Sequence, residues 1–182
     1  MFTRNYIITG GPGTGKTSII NELKNRGLNC YSEVARSVII EESIKESNAL
    51  PYKNTLAFTE KVVQAMRKHL KECRDHEINF FDRGLPDSAG YLIFDKIDIP
   101  AYLKEEIAKA NYEHTVFIAP FWEDIYTTDS QRVESVETAR AIADALRNSY
   151  AQFGFNLVEI PTGSVEERAD FILNQVMVPQ LK

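Results

Sequence analysis

The sequence predicts an α/β fold in three layers, with a central, mostly parallel five-stranded sheet covered by helices on both faces. Two observations carry this expectation. Short β-rich runs alternate with amphipathic stretches along the chain, the order that builds parallel strands joined by right-handed crossover helices. The first of those runs also passes straight into a glycine-rich loop and then a helix, "GGPGTGKTSII" at 10–20, and in open α/β sheets ligands belong at such carboxyl ends of strands. With 182 residues, 43% of them apolar, the chain buries one substantial core, so a single domain over 1–182 is expected.

The elements follow in order. "NYIIT" (5–9) reads as the first strand and "SIINELKNRG" as an amphipathic helix stopped by Gly27. "LNCYS" (28–32) is the second strand. A helical region over about 35–76 follows, broken in two by "LPYKN" and carrying Val63, Met66, Leu70 and Cys73 at helical spacing. "INFFD" (78–82) is the third strand, and Asp87 reads as the cap of a helix at "DSAGYLIF". "TVFIA" (115–119) is the fourth. A polar loop over about 120–135 leads into a long helix with a stripe of Val136, Ala139, Ala143, Leu146, Tyr150 and Phe153, and "FNLVEI" (155–160) is the fifth strand.

Composition narrows the function classes. The net charge of −5 and the lack of a basic-aromatic track argue against a nucleic-acid partner. No apolar run approaches membrane-spanning length, so no membrane insertion is expected. The chain enters its first strand at about Asn5, which leaves no room for a signal peptide, and the cytoplasm is the expected location. Cys30 and Cys73 lie far apart and outside any C-x-x-C spacing, and His69, His76 and His114 lack paired ligand spacing, so neither a disulfide scaffold nor a zinc site is expected.

The glycine-rich stretch has a specific chemistry. Gly10 to Thr17 satisfies G-x-x-x-x-G-K-[ST] between a strand and a helix, the arrangement of a phosphate-binding P-loop. Backbone N–H groups of Gly11, Pro12's neighbours, Gly13, Thr14, Gly15 and on to Ser18 are placed to wrap phosphates at a positive helix start. Lys16 supplies a full charge, expected to point at the ligand, and the Thr17 hydroxyl is placed for magnesium. A nucleoside triphosphate is the implied ligand. ATP is the expected nucleotide and GTP is left open: an N/T-K-x-D sequence is missing after a strand, and "DKID" at 95–98 follows a helix.

Other strand ends refine this reading. Asp82 closes the third strand, where a carboxylate can hold magnesium through water, and Arg83 follows at once. Their alternatives are a helix N-cap for Asp82 and a surface ion pair for Arg83. "SEVAR" places Glu33 and Arg36 at the rim of the second strand. Glu33 is either a base for an acceptor hydroxyl or one half of an i,i+3 pair with Arg36 at a helix start. Arg140 and Arg147 lie outside the apolar stripe of their helix, Arg147 on a solvated face, and Trp122 reads as a packed aromatic.

Together "GGPGTGKTS", "SEVAR", "FFDRGLPDS", "DSQRVES" and "EIPTGSVEER" resemble a branch of P-loop ATPases and kinases akin to the ribosylnicotinamide kinase domain of bacterial NAD regulators. The resemblance runs from Tyr6 to about Leu173. It implies a three-layer P-loop NTPase fold with a kinase-like strand order. As in thymidylate and other small-molecule kinases, it implies that Arg83 contacts the acceptor or the transferring phosphate. By likeness to deoxynucleoside kinases, Glu33 is the acceptor's base, with Arg36 beside the substrate. The loop at 120–135 is implied to be a lid whose Arg132 closes over the triphosphate. Thr162, Gly163 and Val165 are implied to lie beside the adenine, although that segment reads equally as a turn and helix cap.

The function so implied is a small-molecule kinase that passes the γ-phosphate of magnesium-ATP to a hydroxyl of a nucleoside-like or other small metabolite. A nucleotide-dependent regulatory ATPase or GTP-binding module acting on a protein or lipid partner stands as the alternative, because fold is not function. Neither the acceptor's identity nor the oligomeric state is legible in the sequence.

Overall fold

The structure is a computed structural model that describes residues 3–75, 77–122 and 135–177. Five strands form one sheet: β1 (Arg4–Thr9), β2 (Asn29–Tyr31), β3 (Ile78–Asp82), β4 (Thr115–Ile118) and β5 (Asn156–Glu159). All pairings are parallel and the spatial order is β2-β3-β1-β4-β5. The expected fold class is therefore observed, with every strand pair parallel. β1 begins one residue before its apolar run and β3 matches its run, whereas β2, β4 and β5 are shorter than the runs suggested. The edge strand β2 covers Asn29–Tyr31 because it pairs on one side only, through Asn29 to Tyr31 against Asn79 to Phe81.

Helices α1 (Lys16–Asn25), α2 (Ala35–Ile44), α3 (Thr55–Glu72), α4 (Leu85–Phe94), α5 (Ala101–Lys109), α6 (Val136–Gln152) and α7 (Val165–Met177) cover the two faces. β1 is buried on both sides, as a central parallel strand must be. Tyr6 and Ile8 meet Ile20, Leu23, Ile172 and Val176 of α1 and α7, whereas Ile7 packs with Val116 and Tyr150 on the opposite face. A second apolar cluster, built from Val38, Val62, Val63, Met66, Leu85, Leu92 and Leu103, ties α2 to α5 together.

Two sequence expectations shift. Asp87 is not the N-cap of its helix: α4 starts at Leu85 behind Gly84, with Pro86 in its first turn, and Asp87 sits at the third position. Its carboxylate reaches back to the Gly84 amide, Oδ2 accepting at 2.8 Å. The buried stripe of α6 also differs, being Ala139, Ile142, Ala145, Leu146, Ser149 and Tyr150. The cause is that α6 packs on α4 as well as on the sheet. A Cβ on Gly90 of α4 would stand 2.7 Å from Leu146 Cδ2, and Ser149 is buried because its Oγ donates to Pro86 O at 2.7 Å. Among the described residues no helix is long and apolar enough to cross a membrane.

β1 lies between β3 and β4, so the chain leaves its carboxyl end in one direction towards β2 and β3 and in the other towards β4 and β5. A crevice opens at such a reversal of strand order. The glycine-rich loop leaves β1 at this point.

Candidate active site

The loop after β1 is shaped by its neighbours. Gly10 has φ +143°, and a Cβ there would lie 2.5 Å from the Ala119 carbonyl oxygen, so no side chain fits where the loop passes the end of β4. Gly15, in the left-handed region at φ 78°, caps α1 without any side-chain hydrogen bond. The first-turn amides of α1 are therefore left for a ligand, and an anion is what such a helix start attracts. Thr14 Oγ1 donates to Gly11 O at 3.0 Å and Lys16 Nζ donates to the same carbonyl at 2.8 Å. Lys16 thus lies folded over its own loop, 6% exposed, and lines the cleft from there. Burial, with the nearby Arg83 charge, lowers its ammonium from the ordinary 10.5 to about 8.

One residue that the sequence did not single out supports this loop. Arg168, in α7 and 3% exposed, donates from Nη2 to Thr14 O at 2.8 Å. In sequence it is an arginine among glutamates one turn into a helix, a pattern that reads as surface charge. Only the packing of α7 beside α1 brings it under the loop.

Asp82 and Thr17 come together at the end of β3. The register places Asp82 opposite Ile8 of β1, and Thr17 Oγ1 stands 3.4 Å from Asp82 Oδ2. Asp82 is 3% exposed and its Oδ1 has no hydrogen-bond partner. Burial raises its carboxyl, with Lys16 opposing the shift. A buried carboxylate oxygen left open next to a hydroxyl fits a small divalent cation, which draws its other ligands from water and phosphate. Among the described residues no group of three or more His, Cys, Asp or Glu is gathered for a metal, so an all-protein cage is not what this site offers. Asp82 is not a helix cap, since Gly84 holds that position.

Arg83 is held in an uncommon conformation, φ +73°, of the kind that costs energy and persists where surrounding contacts over-determine it. Those contacts are visible. Its amide donates to Ile8 O at 3.1 Å. Nε donates to Glu33 Oε1 at 3.0 Å, and Nη1 donates to Asp87 Oδ1 at 3.0 Å and to Gly10 O at 3.2 Å. The guanidinium also sits 5.4 Å from the centre of the Tyr91 ring. At 6% exposure it is no surface ion pair.

Glu33 takes part in the same set of contacts. Glu33 precedes α2 and its carboxylate turns to Arg83, 50 residues away in sequence. Burial alone would raise its carboxyl, but Arg83 and Lys16 outweigh that and hold it below the ordinary range. Arg36 lines the same cleft and adds to this lowering.

Asp87 has a larger part than a cap. Its carboxylate accepts from Thr9 Oγ1 at 2.6 Å, from Arg83, from the Gly84 amide and from the Tyr150 hydroxyl. Burial, then Asp87, pushes the Tyr150 phenol well up. This buried carboxylate ties β1, the D-R segment and α6 into one network, and nothing in the sequence spacing pointed to Thr9 or Tyr150 as its partners.

A cleft of about 340 Å³ runs from the loop at 12–18 to the helices α2, α3 and α4. Glu33, Arg36, Arg83, Ser88, Tyr91 and Asp95 provide its polar side, and Ile39, Phe58, Val62 and Met66 an apolar wall. Helices of the 35–76 region thus stand over the site. Thr162, Gly163 and Val165 lie at the β5–α7 junction and do not line this cleft. There Ser164 and Glu167 cap each other, Ser164 N donating to Glu167 Oε2 at 2.8 Å and Glu167 N to Ser164 Oγ at 3.1 Å, which is the turn-and-cap arrangement. Arg132, most of the lid and His76 lie outside the described residues. Arg140 stacks on Phe121 at 5.0 Å, and Arg147 pairs with Glu159 on the surface. Trp122 is half-buried.

Comparison with known proteins agrees with this architecture. A family model described as "AAA domain" matches residues 5–168. No curated protein matches the sequence. Among solved structures, the NadR protein in complex with NR superposes with a TM-score of 0.72 at 15% identity, over 100% of this chain and 54% of that one. Deoxyadenosine kinase from M. mycoides gives 0.69 at 17% identity, over 94% and 98% of the two chains. Shikimate kinase from Acinetobacter baumannii gives 0.61 at 13% identity, over 99% and 96%. At these identities the likeness is one of fold.

Proposed function

Because this chain belongs to the AAA domain family, with a P-loop kinase fold, we propose that it is an ATP-dependent phosphotransferase acting on the hydroxyl of a small, nucleoside-like metabolite. One observation carries the reading: a single cleft joins the phosphate-binding loop to the Glu33–Arg83 pair and to an apolar wall large enough for a small molecule. Neighbours that are kinases of deoxyadenosine and shikimate favour a small-molecule acceptor over a protein or lipid.

In this reading the backbone N–H groups of 11 and 13–18 and the Lys16 ammonium hold the triphosphate. Thr17 and Asp82 would hold magnesium, which when bound neutralises phosphate charge and orients the outer phosphates. The acceptor lies against α2, α3 and α4 with its hydroxyl at Glu33. As the acceptor oxygen bonds to the γ-phosphorus and the bond to the leaving ADP oxygen breaks, the hydroxyl proton passes to the Glu33 carboxylate. Arg83, aligned by Asp87, faces the charge that develops on the transferring group, and Arg36 borders the acceptor. We assign Thr162, Gly163 and Val165 to the adenine side and Arg132 to closure over the triphosphate. Unpaired cysteines, Cys30 and Cys73, suit a reducing, cytoplasmic setting.

The test is ADP formation from magnesium-ATP across a panel of hydroxyl-bearing metabolites, with thermal shifts against ATP and GTP on the same protein. Acceptor-dependent ADP release supports the reading. A strong ATP shift with no acceptor-dependent turnover would refute it and favour a nucleotide-dependent binding module.

A further inference from the structure

Among the described residues, Arg168 is a buried cation with no acid beside it. It is 3% exposed, and its Nε makes no hydrogen bond. Arginine keeps its charge in proteins, and a charge so buried is ordinarily paired with a carboxylate. The acids that flank it on α7 are turned elsewhere: Glu167 accepts from the Ser164 amide, Asp170 pairs with Arg26, and Glu166 is exposed. Burial lowers its guanidinium from the ordinary value, and no carboxylate among the described residues opposes that shift. What it holds instead is a neutral group, the Thr14 carbonyl, 2.8 Å from Nη2.

That carbonyl belongs to the peptide joining Thr14 to Gly15 in the phosphate loop. In a planar trans peptide the C=O and the following N–H point in opposite directions. With the Thr14 oxygen drawn towards α7, the Gly15 N–H is turned away from α7. Among the described residues no carbonyl accepts it, and Thr14, Gly15 and Lys16 line the cleft. The glycines on either side of Thr14 are both left-handed, Gly13 at φ 73° and Gly15 at φ 78°. Glycine offers little resistance to rotation of a peptide, so the direction of this N–H depends on what grips the carbonyl behind it. An anion in the loop would accept from the N–H on one side of the peptide while the guanidinium polarises it from the other.

We propose that Arg168 is a positioning residue for the nucleotide: from α7 it keeps the Gly15 N–H turned towards the phosphates, and the bound phosphates supply the negative charge that its own surroundings lack. This rests on the reading of the loop as a triphosphate site. Arg168 touches neither nucleotide nor acceptor, and acts on the phosphates through the peptide that it holds.

The experiment compares the full chain with its Arg168→Met and Arg168→Lys variants, using ATP and inorganic tripolyphosphate as probes. Arg168→Met should weaken binding of both by the same factor, about tenfold to a hundredfold, the worth of a hydrogen bond to a charged group. The ligand-free melting temperature should stay within about 3 °C of wild type, because the lost hydrogen bond is offset by no longer burying an unpaired charge. Arg168→Lys keeps the charge without the planar fork, and its affinities should fall between those of the other two proteins. In isotope-labelled wild type the Gly15 amide resonance should move on saturation with tripolyphosphate, and move much less in saturated Arg168→Met. Wild-type affinity in Arg168→Met, Arg168→Lys binding no tighter than Arg168→Met, or the same Gly15 displacement in wild type and Arg168→Met would overturn the inference. A larger fall in the ligand-free melting temperature, or failure of Arg168→Met to fold, would make Arg168 a brace of the fold and overturn it as well. A wild type that binds neither probe would overturn the reading of the loop itself, and the inference with it.

Discussion

Replacing Glu33 by Gln separates chemistry from architecture at this site. The carboxylate accepts one hydrogen bond from Arg83 Nε at 3.0 Å. A glutamine amide oxygen retains that bond in neutral form, and Arg83 keeps Asp87 and the Gly10 carbonyl, so no charge is stranded. The structural loss is the difference between a charge-assisted and a neutral hydrogen bond, about 1 kcal/mol. For a chain of this size that amounts to a fall of roughly 2–4 °C in melting temperature. The chemical loss is far larger if Glu33 accepts the hydroxyl proton, because general-base groups contribute about 10²- to 10⁴-fold. Single-turnover transfer to a verified acceptor, with ATP affinity and melting temperature on the same protein, reads both. The pH profile adds a check. Arg83 and Lys16 overcome the effect of burial and hold the Glu33 carboxyl below its ordinary 4.5. A lowered folded-state value contributes stability that is fully present above the unfolded value and lost as pH falls through the folded one. The acid limb assigned to Glu33 in the kcat/KM profile should therefore lie below pH 4.5. Transfer by Glu33→Gln at the wild-type rate refutes the assignment of Glu33 as base.

Three further outcomes follow from named contacts. Lys16→Met should remove tight ATP binding without unfolding the chain. In the nucleotide-free protein the lowered value of Lys16, about 8 against 10.5, means that the unfolded state holds more protons between those limits. Stability should then rise with pH through that window, ATP affinity should fall as pH passes about 8, and both trends should vanish in the variant, as read by melting and binding series against pH. Asp82→Asn should abolish the magnesium enhancement of ATP binding while leaving metal-free binding near wild type, measured by titration with and without magnesium; a retained enhancement would exclude Asp82 from the metal site. Asp87→Asn puts an amide NH2 among four donors that the buried carboxylate now satisfies and should cost about 3–5 kcal/mol, lowering the melting temperature by on the order of 10 °C. Tyr150→Phe removes a single donor and should cost about 1 kcal/mol; equal effects of the two changes would contradict the network.

What the sequence alone determined are the features that repeat locally. Alternating strand and helix periods, a glycine loop between them and the D-R pair at a strand end are short-range patterns, and each follows from backbone geometry within a few residues. They were enough for the parallel sheet, the phosphate loop and the meeting of Thr17 with Asp82, because a parallel sheet brings the carboxyl ends of its strands to one edge. Tertiary structure alone decided which charges neutralise which. Glu33 could have paired with Arg36, but the chain enters α2 after Glu33 and the β2-β3-β1 order brings Arg83 to it. Asp87 reads as a helix cap until α6 packs on α4 and brings Tyr150 to its second oxygen. Arg168 reads as surface until α7 lies against α1 and aims it at the Thr14 carbonyl. In each case the partner lies dozens of residues away in sequence, and the interaction depends on burial, which a side chain acquires only when the helices close over the sheet.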